Sequence, residues 1–171
     1  MDEAEELRSK LHDQVSDLYW DVGPEAAAPY AEELAELLDP IEDTDVTRGY
    51  WIIVWMARGR LDKAVEIGER DLELSIAKLH QDFPPPQDIQ NEWYLFNVDL
   101  ALTGHFLQAC RYVKMDLVDA AKTKMEEAYR LSQEFSVPFD EDLQHLWDMM
   151  FNGVGNIEDY FDGGDECCVS T

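Results

Sequence analysis

Residues 136–171 contain no lysine or arginine, and residues 1–47 contain only Arg8 and Lys10. Across the 171 residues 13 bases stand against 38 acids, a formal net charge of -25. A broad basic face for phosphates is thereby excluded, so nucleic acid is not an expected partner. Cysteine is also scarce: Cys110, Cys167 and Cys168 supply no disulfide framework, and Cys110, set among apolar helix residues, reads as a small buried hydrophobe. Long apolar runs are missing. The longest, Trp51 to Ala57, falls far short of the roughly 20 residues of a membrane span. The opening Met1-Asp-Glu-Ala-Glu-Glu has neither the basic start nor the apolar stretch of a signal peptide. A soluble cytoplasmic protein with no membrane attachment is the expectation. Nor does any segment alternate with period two for long enough to make a strand.

What is present is a chain with 46% apolar and 11% aromatic residues, too rich for a disordered protein and long enough for a sizeable core. Its charge is uneven. Residues 1–47 hold 15 acids and two bases, residues 48–135 hold 14 acids and 11 bases, and residues 136–171 hold nine acids and no base. Hydration in a high-salt cytoplasm would spread carboxylates along the whole chain, whereas attraction to a basic partner would concentrate them. The acidic ends favour the second.

Periodicity and punctuation predict about seven helices. Leu7, Leu11, Val15 and Leu18 mark a helix over 3–20. Gly23-Pro24 ends it and starts a second, to about Leu38, with Ala27, Tyr30, Ala31, Leu34 and Leu38 facing inward. Asp39-Pro40 breaks the chain, and Thr44 or Asp45 caps a third helix over about 46–58. That helix is apolar almost all round and should be buried. A fourth runs over about 61–80. The stiff Phe83-Pro-Pro-Pro-Gln87 connector leads to Asp88, the expected cap of a fifth helix reaching about Val113. Its apolar positions are Trp93, Phe96, Leu100, Leu107 and Cys110. A mid-helix glycine such as Gly104 costs roughly 1 kcal/mol against alanine, which implies a close helix approach or a kink there. Helices over about 117–135 and from Glu141 to Phe151 complete the set. The expected organisation is one helical domain over 1–151 followed by a flexible acidic tail over 152–171.

The hairpins resemble tetratricopeptide repeats. Gly59 and Ala64 occupy the turn glycine and first alanine of that pattern, and Trp51, Ile52 and Trp55 fall at its first-helix packing positions. Ala121, Met125 and Ala128 repeat the second-helix pattern, and Ala28, Ala35 and Pro40 do so near the N-terminus. Gly68, Glu32 and Asp71 depart from it. The resemblance implies an all-α stack of antiparallel helix hairpins, in which small residues let neighbouring helices approach and the first helices line a binding face. The family's clamp for a peptide C-terminus needs Lys and Asn at set points, and no such constellation is present.

Candidate binding residues follow. Arg48, Trp55, Asn97, Gln108 and Arg111 are polar or amphipathic residues on otherwise apolar helices three and five. Glu32, Glu33 and Glu36 project from one side of helix two. Chemistry has weaker signals. Asp142 and His145, at i and i+3, match half of a di-metal carboxylate motif that must occur twice. Cys110 and His105 lie five apart on one helix and point to different faces. Cys168-Val-Ser-Thr171 has the length of a prenylation box, but Ser170 is not aliphatic. No catalytic residue, metal or cofactor is expected. The sequence therefore points to a non-catalytic protein-interaction module or adaptor, its partner another protein or peptide of basic character. The alternatives are a small acidic inhibitor, such as an immunity protein or antitoxin, and, from another class, a helical carboxylate metal enzyme. The oligomeric state stays open.

Overall fold

The computed structural model describes residues 2–85 and 91–157. Among them seven α-helices and no strand are found, so the fold is all-α: α1 (Glu3–Asp21), α2 (Pro24–Leu38), α3 (Asp45–Ala57), α4 (Leu61–Asp82), α5 (Glu92–Lys114), α6 (Val118–Phe135) and α7 (Glu141–Phe151). The chain divides into two compact units at Gly68 and Glu69, within α4. No helix of the described residues is long and apolar enough to cross a membrane.

In the first unit α1 and α2 pack as a hairpin, with α3 laid against both. The core is Leu11 and Val15 of α1, Ala27, Ala31, Leu34 and Leu38 of α2, and Ile53, Val54 and Ala57 of α3. Alanine at the facing positions of α2 lets the backbones come close without a void. The start of α3 is fixed by Thr44, whose Oγ1 accepts from the Thr47 N–H at 3.2 Å while the Thr47 Oγ1 accepts from the Thr44 N–H at 2.8 Å. This reciprocal pair satisfies two orphan donors at once. After α3 the chain reverses through Gly59, whose φ of +71° is the left-handed conformation that only glycine adopts freely. Ala64, fully buried, then seats the first turns of α4 against Ile52 and Met56 of α3.

In the second unit α5 and α6 form the main pair. The buried side of α5 is Tyr94, Val98, Ala101, Leu102, His105, Phe106, Gln108, Ala109 and Cys110; that of α6 is Ala121, Met125, Ala128, Leu131, Ser132 and Phe135. Asn91, not Asp88, caps α5, its side chain accepting from the Tyr94 N–H at 2.8 Å. Both residues have capping chemistry. The helix starts at Glu92, and Asp88 lies outside the described residues. Gly104 answers to the expected close approach: a Cβ there would lie 2.8 Å from Cδ2 of Leu72 on α4. α7 buries Leu143, Leu146 and Met150, and its Trp147 stacks on Tyr129 of α6 with ring centroids 4.9 Å apart. The tail expected over 152–171 lies outside the described residues from position 158 onward.

Candidate functional site

The eight candidate residues divide between the two units. In the first, Arg48 is buried in the opening turns of α3, with Nη1 on Asp43 Oδ1 at 3.1 Å. Trp55 is half-buried, stacked against Trp51 at 6.2 Å, and the Arg58 guanidinium carbon lies 4.9 Å above its ring. Arg58 in turn grips Glu32 of α2 through two bonds, Nε to Oε1 at 2.6 Å and Nη2 to Oε2 at 2.7 Å. Glu32 is thereby engaged inside the unit, and the Arg58 hydrogen bonds hold its carboxyl below the usual range. Glu33 and Glu36 are exposed, like every other acid of residues 2–47.

In the second unit Gln108 and Arg111 are brought together, Arg111 Nη1 donating to Gln108 Oε1 at 2.9 Å. They belong to a larger polar network centred on Glu69 of α4. Glu69 Oε1 accepts from the Tyr112 hydroxyl at 2.7 Å and from Gln108 Nε2 at 3.3 Å, and Oε2 from Lys124 Nζ of α6 at 2.5 Å. Lys124 also reaches Glu127 at 2.8 Å. Burial alone would push the Glu69 carboxyl up, but the Lys124 and Tyr112 hydrogen bonds outweigh it and hold the group below its ordinary value. Burial would push Lys124 down, and its bonds to Glu127 and Glu69 outweigh that too. Burial, then the Glu69 hydrogen bond, raises Tyr112 to about 12. His105, 1% exposed, keeps a hydrogen bond from Nδ1 to the Ala101 carbonyl at 2.7 Å, and burial holds its imidazole neutral by lowering its proton affinity.

At neutral pH the network therefore holds a fixed carboxylate, a fixed ammonium, a protonated phenol and a neutral imidazole. None of the first three titrates near 7, where a general acid or base works best. The arrangement ties three helices together with its charges compensated. Among the described residues no group of three or more His, Cys, Asp or Glu side chains could hold a metal ion. Asp142 and His145 are both exposed on α7.

Asn97 lies elsewhere on α5, half-buried, with Nδ2 donating to the Trp93 carbonyl at 2.7 Å. It borders Trp93, Phe96 and Leu100, which the sequence assigns to the apolar face of α5 together with Leu107 and Cys110; these three are 64%, 55% and 60% exposed, whereas Cys110 is buried. Periodicity sees both sides of α5 as apolar, and the side that went inward is that of Tyr94, Val98, Ala101, Leu102 and Phe106. Glu69, Tyr112 and Lys124 were also missed. The available signal was Gln108 and His105, two polar residues on the buried side of an apolar helix, which must find partners.

Comparison with known proteins finds no matching family model, curated protein or solved structure.

Proposed function

We propose that the protein is a non-catalytic protein-interaction module of tetratricopeptide-like helical hairpins, whose acidic first unit meets a basic partner. The observation that carries this reading is the exposure of every acid in residues 2–47, with Arg8 and Lys10 as the only bases of that stretch. The core of this unit is apolar; Glu32 and Asp43 are engaged by Arg58 and Arg48 and Asp2 caps α1, so most of that charge stands outside what holds the fold together. Concentrated like charge opposes compaction and is relieved by a cationic surface, which it also steers into contact. Ala64, Ala121 and Ala128, which the resemblance to tetratricopeptide repeats would set at helix contacts, are each fully buried.

The test is a salt series with two readouts. The free chain should melt cooperatively in dilute buffer, and partners retained on immobilised protein should be released as salt shortens the Debye length from about 30 Å at 0.01 M to about 3 Å at 1 M. Replacing Glu33 and Glu36 by glutamine should weaken that retention and leave the melting temperature unchanged. A chain that unfolds in dilute buffer and regains its fold in molar salt would mark the acid as a salt adaptation and overturn the proposal.

A further inference from the structure

The water-facing side of α5 is apolar where a surface helix ordinarily turns polar residues to solvent. Trp93, Phe96 and Leu100 stand at i, i+3 and i+7, one continuous stripe over two turns, and the Trp93 and Phe96 rings stack with centroids 5.7 Å apart at 18°. The opposite side of the helix holds Tyr94, Val98, Ala101 and Leu102 in the core. Three large neighbouring apolar side chains at more than half exposure form a contact surface, unlike single scattered ones. The stripe has an anionic border. Glu92 and Asp99, seven apart, flank one edge, and Asp140, the cap of α7, lies within electrostatic reach of Asp99. Burial, then the Asp140 carboxylate, pushes the Asp99 carboxyl up, a crowding that a nearby cation relieves. No lysine or arginine occurs between Lys78 and Arg111, or after Arg130.

We propose that the Trp93–Phe96–Leu100 face docks the apolar side of an amphipathic helix from another protein, one bordered by lysine or arginine. The proposal rests on the interaction-module reading and adds to it a surface and a partner chemistry. The spacing is that of helix-on-helix anchors, and the border selects the charge. A second copy of the chain is disfavoured, because it would bring another Glu92 and Asp99 on a stretch of chain that holds no lysine or arginine from residue 79 to 110. Residues 158–171 are disfavoured likewise: they hold five acids and no base.

The probe is an 18-residue leucine–lysine helix with leucine at i, i+3, i+4 and i+7, titrated into the full chain by calorimetry. Replacing Trp93, Phe96 and Leu100 together by serine should weaken binding about tenfold or more, as expected for loss of central anchors. Glu92→Gln with Asp99→Asn should weaken it severalfold and flatten its salt dependence. Glu33→Gln with Glu36→Gln should weaken it less than the Glu92 and Asp99 pair does, and a serine–lysine peptide of equal charge should bind at least about tenfold more weakly. If the triple variant fails to fold, Phe96→Ser alone should still lower affinity about threefold or more. Equal affinity for wild type and the folded stripe variants would overturn this surface while leaving the interaction reading intact. Failure of both lysine peptides and of protamine to bind at low salt would overturn the interaction reading itself. Sedimentation showing a wild-type dimer that the stripe variant abolishes, or a chain ending at Ile157 that binds the probe far more tightly, would overturn it in favour of a second copy or of residues 158–171.

Discussion

Arg58 holds Glu32 across 26 positions of sequence with two parallel hydrogen bonds of 2.6 and 2.7 Å, and lays the same guanidinium over the Trp55 ring. One side chain thus links α2 to the end of α3. Both partners are partly open to water, so each contact is modest. An exposed ion pair contributes about 0.5 kcal/mol and an exposed cation–π contact about 0.5–1 kcal/mol. Arg58→Ala should therefore destabilise by about 1 kcal/mol in urea titration. Arg58→Lys should recover only a part, since an ammonium cannot make the two-pronged contact. Full recovery by lysine would show that charge alone matters.

The Glu69 network gives stability an acid and an alkaline limb. Glu69 is held below its ordinary 4.5, so its contribution is present above that value and fades as pH falls through the lower folded value. His105, lowered from 6.5, acts in the same direction: its contribution is full above 6.5 and fades toward its folded value. Lys124 is held above 10.5, and its contribution is present below that and lost as pH rises through the folded value. Tyr112 adds to this limb between its ordinary 10.0 and about 12. Melting temperature against pH should show a plateau falling at both ends. Lys124→Met, which leaves Glu69 part-buried without its cation, should cost about 1–3 kcal/mol and flatten both limbs. Unchanged limbs in that variant would remove the network from the pH response.

Gly104 and Leu72 should be energetically coupled. Alanine at 104 gains about 1 kcal/mol of helix propensity, but its methyl meets Leu72 Cδ2 at 2.8 Å, and overpacking costs about 1–3 kcal/mol. Gly104→Ala should leave the wild type within about 1 kcal/mol, because the atom met is the end of the Leu72 side chain, and should stabilise the Leu72→Ala background, the difference read as a coupling in a double-mutant cycle. Additivity would mean that the tip of Leu72 swings aside freely.

Tyr94 closes the C-terminal end of α6. Its buried hydroxyl donates to the Phe135 carbonyl at 2.5 Å, one of the helix's last four carbonyls, which lack a partner within the helix. Tyr94→Phe keeps the ring packing against Phe83 and Phe135 and removes only that donor. It should lower stability by about 1–2 kcal/mol, read as a lower urea midpoint with an unchanged slope. No change would mean that water replaces the hydroxyl.

The helices were legible because proline, glycine and capping residues punctuate them: Pro24, Thr44 and Gly59 mark boundaries by backbone chemistry that acts locally. Gly104 was legible for the same reason, since a glycine inside a strong helix implies contact. The start of α5 was not, because Asp88 and Asn91 are both competent caps and local chemistry does not choose between them. Its orientation was hidden as well. Trp93, Phe96 and Leu100 rival Tyr94, Val98, Leu102 and Phe106 in hydrophobicity, so the pattern alone does not say which side faces the rest of the unit. Gln108 and Arg111 stood out as polar residues on an apolar helix. Glu69 and Lys124, 55 positions apart, did not, because nothing in a single sequence records which distant side chains will meet.

The exposure of Trp93 has an optical consequence. The chain has five tryptophans, of which Trp20, Trp51, Trp55 and Trp147 are half-buried and Trp93 alone faces water. An aqueous quencher such as acrylamide should extinguish the red edge of the emission first, and that fraction belongs to Trp93. The chain carries its own fluorescent reporter on α5, and anything that settles over that helix will announce itself by a blue shift without a label.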